Sequence, residues 1–316
     1  MRTWRFAVLG LGGLGLVAPR AAWAHGEATV TPENAWGAWN AEVFPVVVLL
    51  LAAGTYAWGL IRLWRRAGVG QGVRRWQAAA FGGGLAALAV ALVSPLEAMA
   101  GALLSAHMVQ HLLLILGAAP LLVLGAPLYV WLWALPRSWR QAIAQQWQQA
   151  LWLRAGGRVL THPLFVWLLY AAVMWGWHAP ALFEAALHDD WIHELEHCSF
   201  LLAATLYCWI LIHPMGRRRI TRGVGILYLF TTSAHGSLLG VLITFAPRPW
   251  YAHYAESTQA WGLAPLQDQQ LAGLIMWIPV GMVYAGLSVL LFVLWMRDVE
   301  WRVRASERRP AALRRS

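Results

Sequence analysis

Seven long apolar segments dominate this chain and leave few folds open to it. Each is close to the ~20 residues that a helix needs to cross the hydrocarbon core of a bilayer. Only 12% of the residues are charged, whereas ~25% is usual in soluble domains. We therefore predict an all-α polytopic membrane protein with seven transmembrane helices. The predicted spans are Glu42–Leu63, Trp76–Val93, Leu103–Leu124, Leu160–Trp177, Trp191–Ile212, Val224–Phe245 and Leu271–Met296.

The arginines predict how these helices are oriented. All 24 basic residues are arginine. Connections on one predicted side hold five from Arg62 to Arg75, four from Arg137 to Arg158, four from Arg217 to Arg222 and seven from Arg297 onward. The opposite connections hold one, Arg248. Because arginine-rich loops stay in the cytoplasm, we predict an outer N-terminus and a cytoplasmic C-terminus. The net charge of +10 then reflects topology, and no nucleic-acid partner is expected.

Four regions follow from these patterns. Residues 1–24 are predicted to be a signal peptide or an uncleaved anchor, because arginines precede an apolar core and a small-x-small cleavage site. Residues 25–41 would form a short extracytoplasmic N-terminus. Residues 42–296 would form the seven-helix membrane domain, and residues 297–316 a basic cytoplasmic tail.

Two local features are predicted between the third and fourth spans. Ser138–Arg154 carries an apolar residue at every fourth position, which is typical of an amphipathic helix on the inner leaflet. Pro120 and Pro127 should kink or end the third span, because proline lacks the N–H that continues a helix.

Two histidine pairs share one spacing and one predicted depth. His107 and His111 lie in the third span, and His193 and His197 lie in the fifth. Residues i and i+4 share a helix face, and both spans enter the membrane from outside. Polar side chains inside a bilayer are costly and usually functional. Two facing His-x-x-x-His helices at matching depth therefore predict a metal site in the outer half of the membrane.

Four further residues are candidates for this site, each with a plain structural alternative. His178 ends the fourth span, and such a histidine is as often a hydrogen-bond donor to another helix. Met108 and Met276, taken singly, are more often packing residues than ligands. Asp268 could bond between helices or orient a histidine. Imidazole suits zinc, copper and iron, while nearby methionine and cysteine favour copper(I). Copper is therefore the expected metal, with zinc and haem as alternatives.

The same residues allow two other functions. His193-Glu-Leu-Glu-His197 matches the H-E-x-x-H pattern of zinc proteases, in which Glu194 would be the general base. The pattern is short, and the sequence offers neither a clear third-ligand motif nor a soluble protease segment. Paired histidines on facing helices also suit a haem with two axial imidazoles. An intramembrane zinc metalloprotease and a bis-histidine haem protein are the alternative interpretations.

Several motifs between residues 40 and 296 match a known family, the first and last of them most specifically. They are His107-Met-Val-Gln-His-Leu-Leu113, Ala119-Pro-Leu-Leu122, His178-Ala-Pro180, His193 with Glu196-His197, and Pro265-Leu-Gln-Asp-Gln-Gln-Leu-Ala-Gly-Leu-Ile-Met-Trp277. At these residues the chain resembles the multi-spanning CtaG family of cytochrome c oxidase assembly factors.

The resemblance implies a role in maturing a haem-copper oxidase, with copper as cargo and no catalytic turnover. It implies a multi-pass protein of the bacterial inner membrane. Its partners would be oxidase subunits and a copper donor protein, besides the lipid bilayer. His107, His111, His193 and His197 would be the primary ligands, His178 and Met276 secondary ligands, and Asp268 an outer-shell partner. By position, the carried-over residues are His107, Met108, His111, His178, His193, His197, Asp268 and Met276.

Overall fold

The structure is a computed structural model that describes residues 30–40, 42–212 and 221–313. Every regular element in these ranges is helical, which confirms the predicted all-α class. The predicted signal segment lies outside the described residues. The helices longer than four residues are α1 (Val43–Ala67), α2 (Arg75–Leu92), α3 (Pro95–Ala102), α4 (Leu104–Leu124), α5 (Pro127–Ala134), α6 (Arg137–Gln149), α7 (Leu151–Leu160), α8 (Pro163–Trp177), α9 (Pro180–His188), α10 (Asp190–Ile212), α11 (Arg222–Thr244) and α12 (Pro265–Leu313).

Five helices in the described ranges are long and apolar enough to cross a membrane: α1, α4, α10, α11 and α12. Two bent pairs bring the number to seven if each pair forms one span. Helices α2 and α3 meet at 44°, and Arg154–Leu160 meets α8 at 59°. Pro95 and Pro163 lie in the first turns of α3 and α8. Because proline clashes with a preceding helical turn, each begins a new helix at the bend.

Helix α4 widens directly after its histidine pair. Residues Leu113–Ala118 form a π-helical segment, in which the Ala119 N–H donates to the Leu114 carbonyl five residues back. Pro120 follows in the next turn. The helix ends at Leu124, and Pro127 begins α5. The third span therefore ends where the prolines predict, after an internal change of helical register.

Two predicted segments differ most clearly from the observed helices. The amphipathic segment is two helices, because Ala150 adopts an extended conformation between α6 and α7. Its apolar period continues across the break, so periodicity did not reveal it. The last helix begins at Pro265 rather than Leu271 and continues to Leu313. Hydropathy marks only the apolar part of this helix, which extends into polar sequence at both ends.

Close backbone contacts hold α11 against α12. A Cβ atom added to Gly273 would lie 2.8 Å from the Gly240 carbonyl oxygen, and one added to Gly240 would lie 2.7 Å from the Trp277 Cβ. Small residues allow such approaches between membrane helices. Arg222 and Asp298 form an ion pair between the same helices. Helices α11 and α12 are therefore tightly packed against each other beside the predicted metal site.

The buried apolar side chains form a large cluster on one side of the bundle. It joins residues of α4, α8, α9, α10, α11 and α12, among them Met108, Phe183 and Phe200. A smaller cluster joins α1, α2 and α5 through residues such as Tyr56 and Val130. The larger cluster surrounds the histidines of α4 and α10, so the predicted site lies inside the protein rather than against lipid.

Candidate metal centre

Five histidines and one glutamate converge from three helices. The structure brings the two predicted pairs together: the His111 and His197 rings are 5.6 Å apart between centroids, as are those of His107 and His193. Within one pair, the Nε2 atoms of His107 and His111 are 2.9 Å apart. The members of this histidine cluster are His107 and His111 from α4, His193, Glu196 and His197 from α10, and His178 at the end of α8.

Two groups within the histidine cluster place their ligand atoms close enough for one ion. His107, His111 and His197 have ligand atoms within 4.8 Å of one another, as do His107, His193 and Glu196. A tetrahedral ion with bonds of ~2.0–2.1 Å separates its ligand nitrogens by about 3.4 Å. The two α4 imidazoles would therefore separate by about half an ångström to admit an ion. The donor set fits a metal such as zinc or copper.

Hydrogen bonds from outside the cluster determine which ring nitrogens are free. The Tyr254 hydroxyl donates to the Ala100 carbonyl at 3.0 Å and lies 3.2 Å from His107 Nδ1. Since that hydroxyl has one proton, His107 Nδ1–H is assigned as donor to it. His178 Nδ1 likewise donates to the Met174 carbonyl at 2.7 Å. Both rings therefore carry their proton on Nδ1, which leaves Nε2 with the lone pair that a metal ligand requires. In this structure the lone pair of His107 accepts a hydrogen bond from His111 Nε2–H.

Glu196 is a buried carboxylate that lacks hydrogen-bond donors. Its side chain is 0% exposed, and neither oxygen has a hydrogen-bond partner within the described ranges. The nearest cationic candidates are His111 Nε2 at 3.6 Å and His107 Nε2 at 3.8 Å. A buried charge without a partner is strongly unfavourable. A cation held by the imidazoles would supply that partner.

Sequence reasoning did not assign Glu196 to the site, although its spacing offered a signal. Glu196 lies three residues after His193 and so shares its helix face. Glu97 of α3 was also missed. It accepts a hydrogen bond from Gln110 Nε2 and lies 3.7 Å from His193 Nδ1. Glu97 therefore lies beside His193, and no local pattern around residue 97 predicts this long-range contact.

Two cavities flank the histidine cluster, each of about 30 Å³. The acidic pocket is polar and is lined by Asn40, Glu42, Pro45, Leu92, Glu97, Asp190, His193, Glu194 and His197. The methionine cavity is apolar and is lined by Met108, His111, Leu112, Ile115, Tyr170, Met174, His178, Phe200, Thr232, Gly236, Met276, Val280 and Tyr284. The histidine cluster therefore lies between the acidic pocket and the methionine cavity.

The remaining predicted residues lie around the cluster with different roles. Met108 and Met276 line the methionine cavity. Asp268 is fully buried and accepts hydrogen bonds from the backbone N–H groups of Leu104 at 2.6 Å and Ser105 at 3.2 Å. These are first-turn groups of α4, which need partners from outside the helix. Asp268 therefore positions the helix that carries the first histidine pair.

The position of Glu194 and the size of the two cavities concern the alternative interpretations, a zinc metalloprotease and a bis-histidine haem protein. Glu194 lines the acidic pocket, whereas the carboxylate nearest His107 and His111 is that of Glu196. Ligand sites for drug-sized molecules measure ~300–1,000 Å³. Neither flanking cavity, at about 30 Å³, accommodates a porphyrin.

Comparison with known proteins points to one family. The family model for the cytochrome c oxidase caa3 assembly factor matches residues 54–298. This range contains all six residues of the histidine cluster and every residue of the methionine cavity. No curated protein and no solved structure matches the chain.

Proposed function

The chain belongs to the family of cytochrome c oxidase caa3 assembly factors, and from that premise we propose that it binds copper and transfers it to the oxidase during assembly. Copper is the cargo of this reaction rather than a resident cofactor. The protein needs only to bind the ion, protect it from water and other ligands, and release it to the next protein.

The observation that carries the proposal is the buried carboxylate of Glu196 among five imidazoles. Its oxygens lack hydrogen-bond donors in the part of the chain that the structure describes, and His178, His193 and His197 each have a buried Nε2 atom without a partner there. Native proteins satisfy nearly all buried polar groups. One cation would satisfy the carboxylate and several lone pairs together.

The surrounding ligands favour copper over zinc. Imidazole binds both metals, whereas thioethers select copper(I). Met108 and Met276 line the cavity that His111 also lines. A haem-copper oxidase also needs copper for its maturation, so the cargo suits the family.

The route of transfer follows from the predicted topology. We propose a multi-pass protein of the bacterial inner membrane with an outer N-terminus, in which the acidic pocket opens outward. Its carboxylates, including Glu42 and Asp190, would attract a cation from a donor protein. Oxidase subunits would receive the metal from the histidine cluster.

Metal analysis of the purified protein tests the proposal. The wild type should bind copper in stoichiometric amounts, and the His107→Ala/His111→Ala variant should lose most of it. A matched control is His162→Ala, because His162 is an exposed histidine at the start of α8. Equal copper content in the wild type and the double variant would remove the proposed site.

Two further measurements separate this proposal from its alternatives. A protease that uses Glu194 as general base would be inactivated by Glu194→Gln, whereas a copper carrier with this change keeps the histidine cluster and should still bind copper. A haem protein would show a Soret band in its visible spectrum. Loss of copper binding in the Glu194→Gln variant, or a stoichiometric Soret band, would contradict the copper proposal.

A further inference from the structure

The methionine cavity has a lining unlike that of the histidine cluster beside it. Met108, Met174 and Met276 come from α4, α8 and α12, so three separate helices contribute methionines to the lining of one space. His111 and His178 line the same cavity. These two histidines therefore belong to the histidine cluster and to the methionine cavity at once.

We propose that the methionine cavity is a second metal-binding station, specific for copper(I), which exchanges the ion with the histidine cluster. The proposal rests on the copper-carrying function above and adds a second binding site to it. The ion would pass between a site of imidazole and carboxylate ligands and a site of thioether and imidazole ligands. No change of oxidation state is involved.

Simple packing does not account for this arrangement. Methionines usually fill gaps in a core, because their side chains adapt to irregular spaces. Here about 30 Å³ remains open, which is enough for two or three water-sized probes of ~10–15 Å³. His111 Nδ1 and His178 Nε2 are both buried and lack partners within residues 30–40, 42–212 and 221–313. Ring nitrogens without hydrogen-bond partners, placed beside an open space, are what a metal-binding site provides.

The charge of the lining selects a monovalent ion. The residues around the methionine cavity include no carboxylate, so the cavity offers no counter-charge. Desolvation disfavours an isolated buried charge, and this penalty rises steeply with the charge of the ion. Thioethers are soft ligands that prefer copper(I). A divalent ion is therefore better placed near Glu196 or the acidic pocket, where carboxylates lie.

The arrangement of the two stations provides a path for the ion between them. His193 and His197 line the acidic pocket, while His111 and His178 line the methionine cavity. His107 lies between them, with its Nε2 atom 2.9 Å from that of His111. An ion can pass between the acidic pocket and the methionine cavity by exchanging imidazole ligands one at a time.

Copper(I) titration of the full-length protein, in detergent and without oxygen, tests the second station. A chromophoric chelator competes for the ion, and the wild type should bind two equivalents. The Met108→Leu/Met174→Leu/Met276→Leu variant should bind one, because leucine keeps the volume and removes the sulfur. Met282→Leu is the matched control, since Met282 is on α12 but 71% exposed. Cobalt(II) binding at the histidine cluster should be unchanged in both variants.

A complementary variant distinguishes a failure of the second station from a failure of the proposed copper-carrying function. His193→Ala/His197→Ala alters the histidine cluster without touching the methionine cavity, and it should retain one copper(I) equivalent. X-ray absorption of the wild type with two equivalents should show sulfur ligands, a result that does not depend on whether the triple variant folds. Two equivalents in the triple variant, or nitrogen ligands alone in the wild type, would overturn the second station. A wild type that binds no copper would overturn the proposed function itself.

Discussion

Replacing Glu196 with glutamine should weaken metal binding without weakening the fold. The carboxylate oxygens lie 3.6 Å from His111 Nε2 and 3.8 Å from His107 Nε2, so a cation on these nitrogens would be about 4 Å from the negative charge. At an effective dielectric constant of ~20, that attraction is about 4 kcal/mol for a monovalent ion. The variant should therefore bind copper(I) with about 1,000-fold lower affinity.

The metal-free protein should respond in the opposite direction. Glutamine has nearly the shape of glutamate but carries no charge, and its amide can donate to an imidazole nitrogen. The variant should therefore unfold at the same temperature as the wild type or a higher one when metal is absent. Competition with a copper(I) chelator measures the affinity, and thermal unfolding in detergent measures the stability.

A charge-matched control makes this prediction specific. Glu256 is exposed, and Glu256→Gln should change neither copper affinity nor stability. If the Glu196→Gln variant binds copper(I) within about threefold of the wild type, the carboxylate does not face the ion and the electrostatic reasoning is refuted. A lower unfolding temperature of the metal-free variant would show instead that Glu196 stabilises the fold.

Three other substitutions test the surroundings of the site. Tyr254→Phe removes the acceptor for His107 Nδ1–H and should weaken copper binding about tenfold, as measured by chelator competition. Burial raises the pKa of Tyr254 well above its usual value, so its hydroxyl stays protonated. The loss of affinity should therefore be the same between about pH 6 and 9. Asp268→Asn removes a buried charged acceptor from the start of α4 and should destabilise the protein by about 1–3 kcal/mol in thermal unfolding. Gly273→Ala should destabilise by a similar ~1–3 kcal/mol because its methyl group meets α11, whereas Gly281→Ala on the same helix meets no atom within 4 Å and should be neutral.

The membrane class and the approach of the histidine pairs could be predicted from the sequence for physical reasons. Apolar length specifies a membrane helix, and a spacing of four puts His193 and His197 on one face. The same geometry puts Glu196 on that face and turns Glu194 away from it. The H-E-x-x-H pattern singled out Glu194 only for the alternative protease interpretation, because a motif match ignores which way the helix is rotated.

Contacts between distant helices could not be predicted in this way. Asp268 binds the first turn of α4 across 164 residues of sequence, and its partners depend on how α4 and α12 pack. Glu97 lies beside His193 for the same reason. Met174 was accessible to sequence reasoning, since it lies four residues before His178 and shares its helix face. A search for soft ligands one turn from each histidine would have found it.

The histidine cluster offers more donors than one ion can use. The two groups of close ligand atoms share His107 and together supply four imidazoles and a carboxylate, whereas a tetrahedral ion would take four ligands. Because of this excess of ligands, tight binding of the ion does not require slow release. An ion can gain a new donor as it loses an old one, so the barrier to its departure is that of one bond rather than of the whole coordination shell. A carrier built in this way can hold its cargo tightly and still surrender it within the lifetime of an encounter with its acceptor.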